Sequence, residues 1–131
     1  FGPVKKDRVL YRFEPEKIYY RFNIYPSHSS GFFITRHAHK KIGFYNDNLK
    51  FGADHDLFYR MIVKHKLSGM IANKKELFGK FDMTGASSKI PFYKSYFYEM
   101  VVRHNNDQNI VYLFFLYFIK IMNKFLRVII K

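Results

Sequence analysis

The sequence predicts an α/β protein, because short strand-like segments are interspersed with longer segments of helical periodicity. At 131 residues the chain is long enough for one domain with a hydrophobic core. Hydrophobic residues make up 48% of the chain and include 16 Phe and 11 Tyr. That much aromatic surface gains free energy by leaving water, so we expect a folded chain rather than a disordered one.

The charge of the chain favours anionic partners. Lys and Arg total 23 against 10 Asp and Glu, which gives a net charge of +13 with neutral histidine. Phosphates, nucleic acid and acidic lipid surfaces all suit such a charge, and the charge alone does not choose among them. The absence of cysteine excludes disulfides, thiolate catalysis and sulfur-ligated zinc, and it fits a reducing compartment.

The sequence contains neither an initiating Met nor an apolar run typical of a signal peptide, and we expect it to be part of a longer protein. The longest apolar stretch, at 110–119, is ten residues long. A helix needs about 20 such residues to cross a bilayer, so no transmembrane span is predicted.

The first third of the chain is predicted to contain a hairpin, a strand and a helix. Val9, Tyr11 and Phe13 alternate as in a strand, and the charged residues 5–8 suit the turn of a hairpin. After a loop rich in Ser and Gly, "FFIT" is typical of a short buried strand. "RHAHKKIG" predicts a short helix that ends near Gly43.

The central segment "DHDLFYRMIVKHKLSG" is predicted to be an amphipathic helix that runs from an N-cap at Asp54 to Gly69. Arg60, Lys64 and Lys66 should face solvent. The predicted buried stripe consists of Leu57, Phe58, Met61, Ile62 and His65.

Residues 68–72 and 76–81 are strand candidates, and the polar loop "DMTGASSK" leads to a helix that starts at Pro91. The polar run "NNDQN" at 105–109 predicts a break before a C-terminal helix.

The C-terminal helix carries basic residues at steps of 4, 3 and 4, at Lys120, Lys124, Arg127 and Lys131. This spacing forms one stripe on a helix that is otherwise apolar. Three interpretations remain open: packing on the domain, binding to a partner, or lying in a membrane interface with Lys and Arg toward acidic headgroups. We slightly favour peripheral membrane contact through 110–131.

Two aspartates, Asp54 and Asp56, lie near the start of the central helix. A structural interpretation accounts for both, because Asp54 can cap the helix and suit its dipole. Asp56 can pair with Arg60 at i, i+4. Taken alone, a D-x-D before a helix favours structure over catalysis.

The surroundings of these aspartates resemble the acceptor-side half of the family 2 inverting glycosyltransferases of the GT-A fold. The matching parts are His28, "FFITR", "KKIGFYND", "ADHDLFYR" and "MTGASS", which occur in the family's order within about residues 1–90. "GFY" replaces the usual "GGF", and Gly85-Ala86-Ser87 replaces "GG-x-S".

The resemblance implies a partial GT-A-like fold over 1–90, followed by a helical C-terminal region over 91–131. It also implies sugar transfer from a nucleotide-activated donor to an acceptor hydroxyl, in polysaccharide or glycolipid synthesis. Asp54 matches the general base, while Asp56 is expected mainly to pair with Arg60 and brace the helix. The residues expected to contact the acceptor or support its site are His28, Gly31, Asp56, Arg60, Thr84, Gly85 and Ser87.

The family's nucleotide-binding half has no counterpart in these residues. In the intact enzyme that half ends in a D-x-D that holds a divalent metal, Mg or Mn, and the donor diphosphate. The only D-x-D here is the one at the central helix. We therefore expect a C-terminal part of a larger enzyme or a degenerate relative, inactive alone, that works in the cytoplasm or at the inner face of a membrane.

Two other site types were weighed against this interpretation. The histidine pairs 37/39 and 55/65 lack the i, i+4 spacing of helical metal ligands, so we predict no metal site of this chain's own. The mixture of aromatic and basic residues would suit single-stranded nucleic acid, but no recognition module's pattern occurs, and we predict no nucleic-acid partner. The alternative function is a non-catalytic basic module for nucleic acid or an anionic membrane.

Overall fold

The computed structural model describes residues 4–5, 9–10, 17–22, 31–70, 72–73, 76, 79–80 and 89–129. Helices predominate in these residues, and the strands are two residues long each. The predicted α/β class with a partial GT-A-like fold is therefore wrong, and the described part of the chain is mainly helical.

The strands are β1 (Val4–Lys5), β2 (Val9–Leu10) and β3 (Gly79–Lys80), and they form a small sheet in the order β2-β1-β3. β1 pairs antiparallel with β2, as the predicted hairpin requires, and parallel with β3. Lys5, expected in the turn, lies in β1. Pieces this short contribute little burial and do not form the layer of an α/β fold.

Two short helices precede the central one, α1 (Lys17–Tyr20) and α2 (Arg36–Ile42). The Thr35 hydroxyl caps α2 by accepting from the backbone N–H of Ala38 at 3.1 Å. Gly43 ends α2 with φ 81°, a left-handed conformation that glycine adopts without strain, so the predicted end of this helix is confirmed.

The central helix α3 (Ala53–Tyr59) continues into a π-helical segment (Arg60–Lys64). It ends earlier than predicted, because the backbone N–H of His65 closes the last turn on the carbonyl of Arg60 and Gly69 lies beyond it. The wider π-helical turn is typical of a strained or functional position within a helix.

The C-terminal part contains α4 (Phe92–Asn105) and α5 (Ile110–Ile129). α4 begins directly after Pro91. The interruption between α4 and α5 falls within the predicted polar run at 105–109. Asp107 takes a left-handed conformation there, with φ 70°, which turns the chain from α4 into α5.

The apolar core has two clusters. One surrounds α3, and Phe32 and Ile34 pack on it from an extended segment that is not a strand. The predicted buried "FFIT" strand is thus wrong, because Phe33 is exposed and a partly buried segment shows the same alternation without a partner strand. The first cluster consists of Ile18, Ile42, Leu57, Phe58, Tyr59 and Met61. The second, between α4 and α5, consists of Phe22, Tyr96, Met100 and Leu113.

A fully buried guanidinium joins α1 to α4. Arg103 donates to the carbonyl of Tyr19 at 3.0 Å, to the carbonyl of Arg21 and to the carboxylate of Glu99. Its guanidinium also lies over the ring of Phe22, 4.7 Å from the centroid. These contacts satisfy the last carbonyls of α1 and link the predicted parts 1–90 and 91–131.

Tyr59 and Gln108 support the same junction. The Tyr59 hydroxyl donates to Oε1 of Gln108 at 3.0 Å, and Nε2 of Gln108 donates to the carbonyl of Tyr19 at 2.7 Å. Burial raises the pKa of Tyr59 to about 12, so its hydroxyl keeps its proton at physiological pH.

Two residues of the basic stripe of α5, Lys120 and Lys124, contact the domain. Lys120 donates to the carbonyl of Phe22 at 3.2 Å, and the ammonium of Lys124 lies 5.7 Å from the ring centroid of Phe92 on α4. Of the three interpretations of this helix, packing on the domain describes its basic side. Within the described ranges, no helix has the length and apolarity needed to cross a membrane.

Replacing Arg103 with Lys should lower the free energy of unfolding by about 2–4 kcal/mol. A compact ammonium lacks the planar fork that reaches two carbonyls and a carboxylate together, so some of these buried groups lose their partner. Urea denaturation followed by circular dichroism measures the change. Arg36→Lys, at an exposed position of α2, is the matched control and should change stability by less than about 0.5 kcal/mol. Equal effects of the two variants would contradict the role of Arg103.

Candidate functional site

The start of α3 differs from its prediction. Gly52 is the N-cap, with φ 83°, and Asp54 lies inside the first turn. The chain enters the helix through a left-handed residue, which glycine adopts readily, so the cap moves two residues ahead of Asp54. The carboxylate of Asp54 accepts from the backbone N–H of His55 at 2.8 Å and is half-buried.

Asp56 is buried and fully engaged. Its Oδ2 accepts from Arg60 Nε at 2.9 Å and Nη2 at 2.8 Å, and its Oδ1 accepts from Nδ2 of Asn106 at 2.8 Å. The predicted i, i+4 pair is confirmed. Both carboxylate oxygens are held by neighbouring side chains, so Asp56 is suited to fixing the helix rather than to accepting a proton.

Arg60 connects α3 to the end of α2. Beyond Asp56 it donates to the carbonyl of Ile42 and, at 2.7 Å, to the carbonyl of Phe44. Arg60 was predicted to face solvent, but only 16% of its side chain is exposed, because three acceptors draw it between the two helices. Its guanidinium thus replaces the hydrogen bonds that the last turn of α2 lacks.

His55 lies between the two aspartates in sequence and points into the core. Its Nε2 is 3.4 Å from Oε1 of Glu99, which also binds Arg103. Burial lowers the pKa of His55, and the opposing attraction of Glu99 is the smaller effect. We therefore describe His55 as a neutral imidazole within a buried polar cluster.

Of the other predicted site residues, the structure describes Gly31. Gly31 is buried just ahead of the extended segment that packs on α3. His28, Thr84, Gly85 and Ser87 lie outside the described residues.

Asn106, Glu99 and Arg103 were missed by the sequence analysis. Asn106 belongs to the polar run that predicted only a chain break, yet its amide holds Asp56 from 50 positions away. Glu99 is the one acidic residue of α4. A lone acid three or four residues from an Arg on a helix is the one local signal that could have indicated a buried pair.

The part of the chain that the structure describes contains no group of three or more His, Asp or Glu arranged to hold a metal ion. Comparisons with models of known protein families, with curated proteins and with solved structures give no match. The resemblance to family 2 glycosyltransferases therefore stays a prediction that depends on the residues themselves.

The arrangement around α3 gives its two aspartates different chemistry. Among the described residues no Lys, Arg or His side chain pairs with Asp54, whereas Asp56 is neutralised by Arg60. The arrangement offers one accessible carboxylate beside a second that holds the backbone rigid. A carboxylate so placed can accept a proton from a hydroxyl within hydrogen-bond distance.

Asp56→Ala should lower the free energy of unfolding by about 2–4 kcal/mol, because it leaves the Arg60 guanidinium partly buried without its counter-charge. Asp54→Ala removes only a local bond and a favourable dipole contact, so it should cost less than about 1 kcal/mol. Chemical denaturation of both variants under the same conditions gives the comparison. Equal costs, or a larger cost for Asp54, would contradict the division of roles.

The buried imidazole predicts a pH dependence of stability. His55 has an ordinary pKa of 6.5 in the unfolded chain and a lower one when folded, so the unfolded chain binds its proton first as pH falls. The contribution of His55 is thus fully present above about pH 6.5 and is lost below it, by at most about 1.4 kcal/mol per pH unit. Unfolding free energies at pH 7.5, 6.5 and 5.5 measure this loss.

His55→Gln should flatten this pH dependence while retaining a polar side chain next to Glu99. His104→Gln, at an exposed position near the end of α4, is the matched control and should leave the slope as in the natural chain. If the slope is the same in all three proteins, other groups titrate and the assignment to His55 is wrong.

Proposed function

We propose that this chain supplies the acceptor side and the general base of an inverting glycosyltransferase, which moves a sugar from a nucleotide-sugar donor to an acceptor hydroxyl. The observation that carries the proposal is the contrast between Asp54 and Asp56. Among the described residues, the carboxylate of Asp54 is half-buried and accepts one local hydrogen bond, whereas the carboxylate of Asp56 is held by Arg60 and Asn106. The proposal depends on these side chains and on the motif "ADHDLFYR", not on the GT-A fold prediction.

In the proposed reaction the acceptor oxygen attacks the anomeric carbon of the donor sugar. A bond forms between these two atoms as the bond from the anomeric carbon to the donor phosphate breaks, and the nucleoside diphosphate departs. Asp54 takes the proton of the acceptor hydroxyl during this step. A sugar hydroxyl is a weak nucleophile, and a positioned base typically contributes a factor of about 10²–10⁴ to the rate.

Rigidity around Asp54 supports this role. Asp56 ties α3 to Arg60 and Asn106, and His55 is buried beside Glu99, so the backbone on the C-terminal side of Asp54 is held by two separate contacts. A base that is fixed in place loses less entropy when the reacting groups align. Asp54 would thus act through position more than through basic strength.

Donor binding is assigned to a part of the enzyme outside these residues, because the donor-binding D-x-D has no counterpart in the sequence. The divalent Mg or Mn proposed for the intact enzyme would lie there, holding the donor diphosphate. The acceptor is proposed to be a growing polysaccharide or glycolipid at the cytoplasmic face of a membrane, a location with which a chain free of cysteine is compatible.

Asp54→Asn in the intact enzyme should lower turnover by at least about 100-fold, because the amide cannot accept the proton. Transfer is measured as release of nucleoside diphosphate from a panel of nucleotide sugars in the presence of mixed glycan and glycolipid acceptors. Donor binding and the unfolding midpoint should stay close to those of the natural protein.

Asp47→Asn is the matched control, since Asp47 is an exposed acid in the loop before α3. It should leave turnover unchanged. An Asp54→Asn enzyme that turns over at the natural rate would exclude Asp54 as the base, and a panel that yields no transfer with the natural enzyme would count against the glycosyltransferase proposal itself.

A further inference from the structure

α5 presents a continuous apolar surface to solvent on the side opposite its basic residues. We call this surface the outer stripe, and it comprises Val111, Phe114, Phe115, Phe118, Met122 and Phe125. Val111, Phe115, Phe118, Met122 and Phe125 follow one another at steps of four and three, and Phe114 lies beside Phe115, so all six share one face of the helix. Their exposed fractions run from 43% at Met122 to 73% at Val111.

Within the outer stripe Phe125 meets the ring of Phe92 on α4 edge-on, with the centroids 6.3 Å apart. α5 is held on the domain mainly from its other side. The opposite side does this through buried Leu113, the bond from Lys120 to the carbonyl of Phe22, and the contact of Lys124 with Phe92. The inward side of α5 is itself largely apolar, since Leu116, Tyr117 and Ile121 also pack against the second core cluster. The outer stripe is therefore a second apolar face of the helix, which the domain leaves exposed.

The outer stripe is large for an exposed surface. A phenylalanine side chain offers about 150–250 Å², so the four half-exposed rings alone present about 400 Å². That area already equals the largest apolar patch of a typical monomeric protein, and such patches generally mark a binding surface.

Charge selects the occupant of this surface. α5 contains no acidic residue, and the whole chain carries +13, so an anionic surface attracts it. A second copy would bring another +13 against the same side, and nucleic acid presents a charged phosphate backbone rather than an apolar layer into which the outer stripe could insert. An anionic bilayer satisfies both the apolar and the electrostatic requirement.

We propose that the outer stripe of α5 inserts into the surface of a bilayer that contains anionic lipid, with the helix axis parallel to the membrane plane. At 20 residues the helix extends about 30 Å along that surface. The inference deepens the proposed location at a membrane, and it does not depend on Asp54 acting as a base.

The absence of tryptophan from the chain permits a direct test. Phe118→Trp places a single fluorophore in the outer stripe, and Phe44→Trp places one at an aromatic position that is 75% exposed in the loop after α2. On titration of the 131-residue chain with phosphatidylglycerol vesicles, emission of the Phe118→Trp protein should shift to shorter wavelength by about 10 nm or more, as a ring leaves water. The Phe44→Trp emission should stay within about 2 nm.

Equal emission shifts in the two proteins, or no emission shift in the Phe118→Trp protein, would overturn the proposal. A shift without vesicles that grows with protein concentration would also overturn it, because it would identify a second copy as the occupant.

Vesicle flotation provides the second measurement. The double variant Phe115→Ser and Phe118→Ser should float at least about tenfold less with phosphatidylglycerol vesicles, because it removes two of the four rings. Phe44→Ser, which deletes an equally exposed ring elsewhere, should float within about twofold of the natural chain. Circular dichroism verifies that each variant folds.

Salt and lipid charge test the electrostatic part. Flotation should weaken between 50 and 500 mM NaCl and should be lower with pure phosphatidylcholine vesicles, since screening removes the attraction of exposed charges. Flotation of Asp54→Asn should equal that of the natural chain. A protein that loses transfer but floats normally therefore tests only the role of Asp54 as the base. A protein that transfers normally but does not float would overturn only the membrane proposal.

Discussion

The burial of the Arg103 guanidinium is the constraint on which the rest of the structure depends. A cation taken out of water is tolerated only where acceptors surround it, and here the carbonyls of Tyr19 and Arg21 and the carboxylate of Glu99 do so. The two carbonyls lie in α1 and just after it, whereas Glu99 lies beside Arg103 on α4 itself. The guanidinium therefore fixes the distance between the two helices, because α4 must lie where Arg103 reaches both carbonyls.

The position of α4 then decides what each side chain at the start of α3 does. Glu99 lies against His55, and Asn106, two turns farther along α4, donates to Asp56. Consecutive side chains of a helix point about 100° apart around its axis. Because His55 and Asp56 both contact α4, the side chain that precedes them points away from α4. Asp54 is that residue, and its half-exposure is a consequence of how α3 packs on α4.

The parts of this arrangement that local chemistry determines could be predicted from the sequence. Gly43 ends α2 and Pro91 precedes α4, because backbone conformation at those positions depends on the residue itself. The burial of Arg60 and the bond from Asn106 to Asp56 could not be predicted, since each depends on a neighbour distant in sequence. The α/β class failed for the same reason, as an apolar extended segment needs a partner strand to become part of a sheet.

The orientation of α5 shows what the spacing of residues in a sequence can predict and what it cannot. The spacing of Lys120 and Lys124 identifies a face, but that this face packs inward depends on the burial of Leu113 and on the carbonyl of Phe22 and the ring of Phe92, which attract ammonium groups. Because α4 contacts both α3 and α5, it links Asp54 to the outer stripe through packed helices. If the outer stripe lies in a membrane, the carboxylate of Asp54 is held at a fixed height above that membrane. Asp54 would then accept a proton from a lipid-linked hydroxyl at this height in preference to a hydroxyl free in solution.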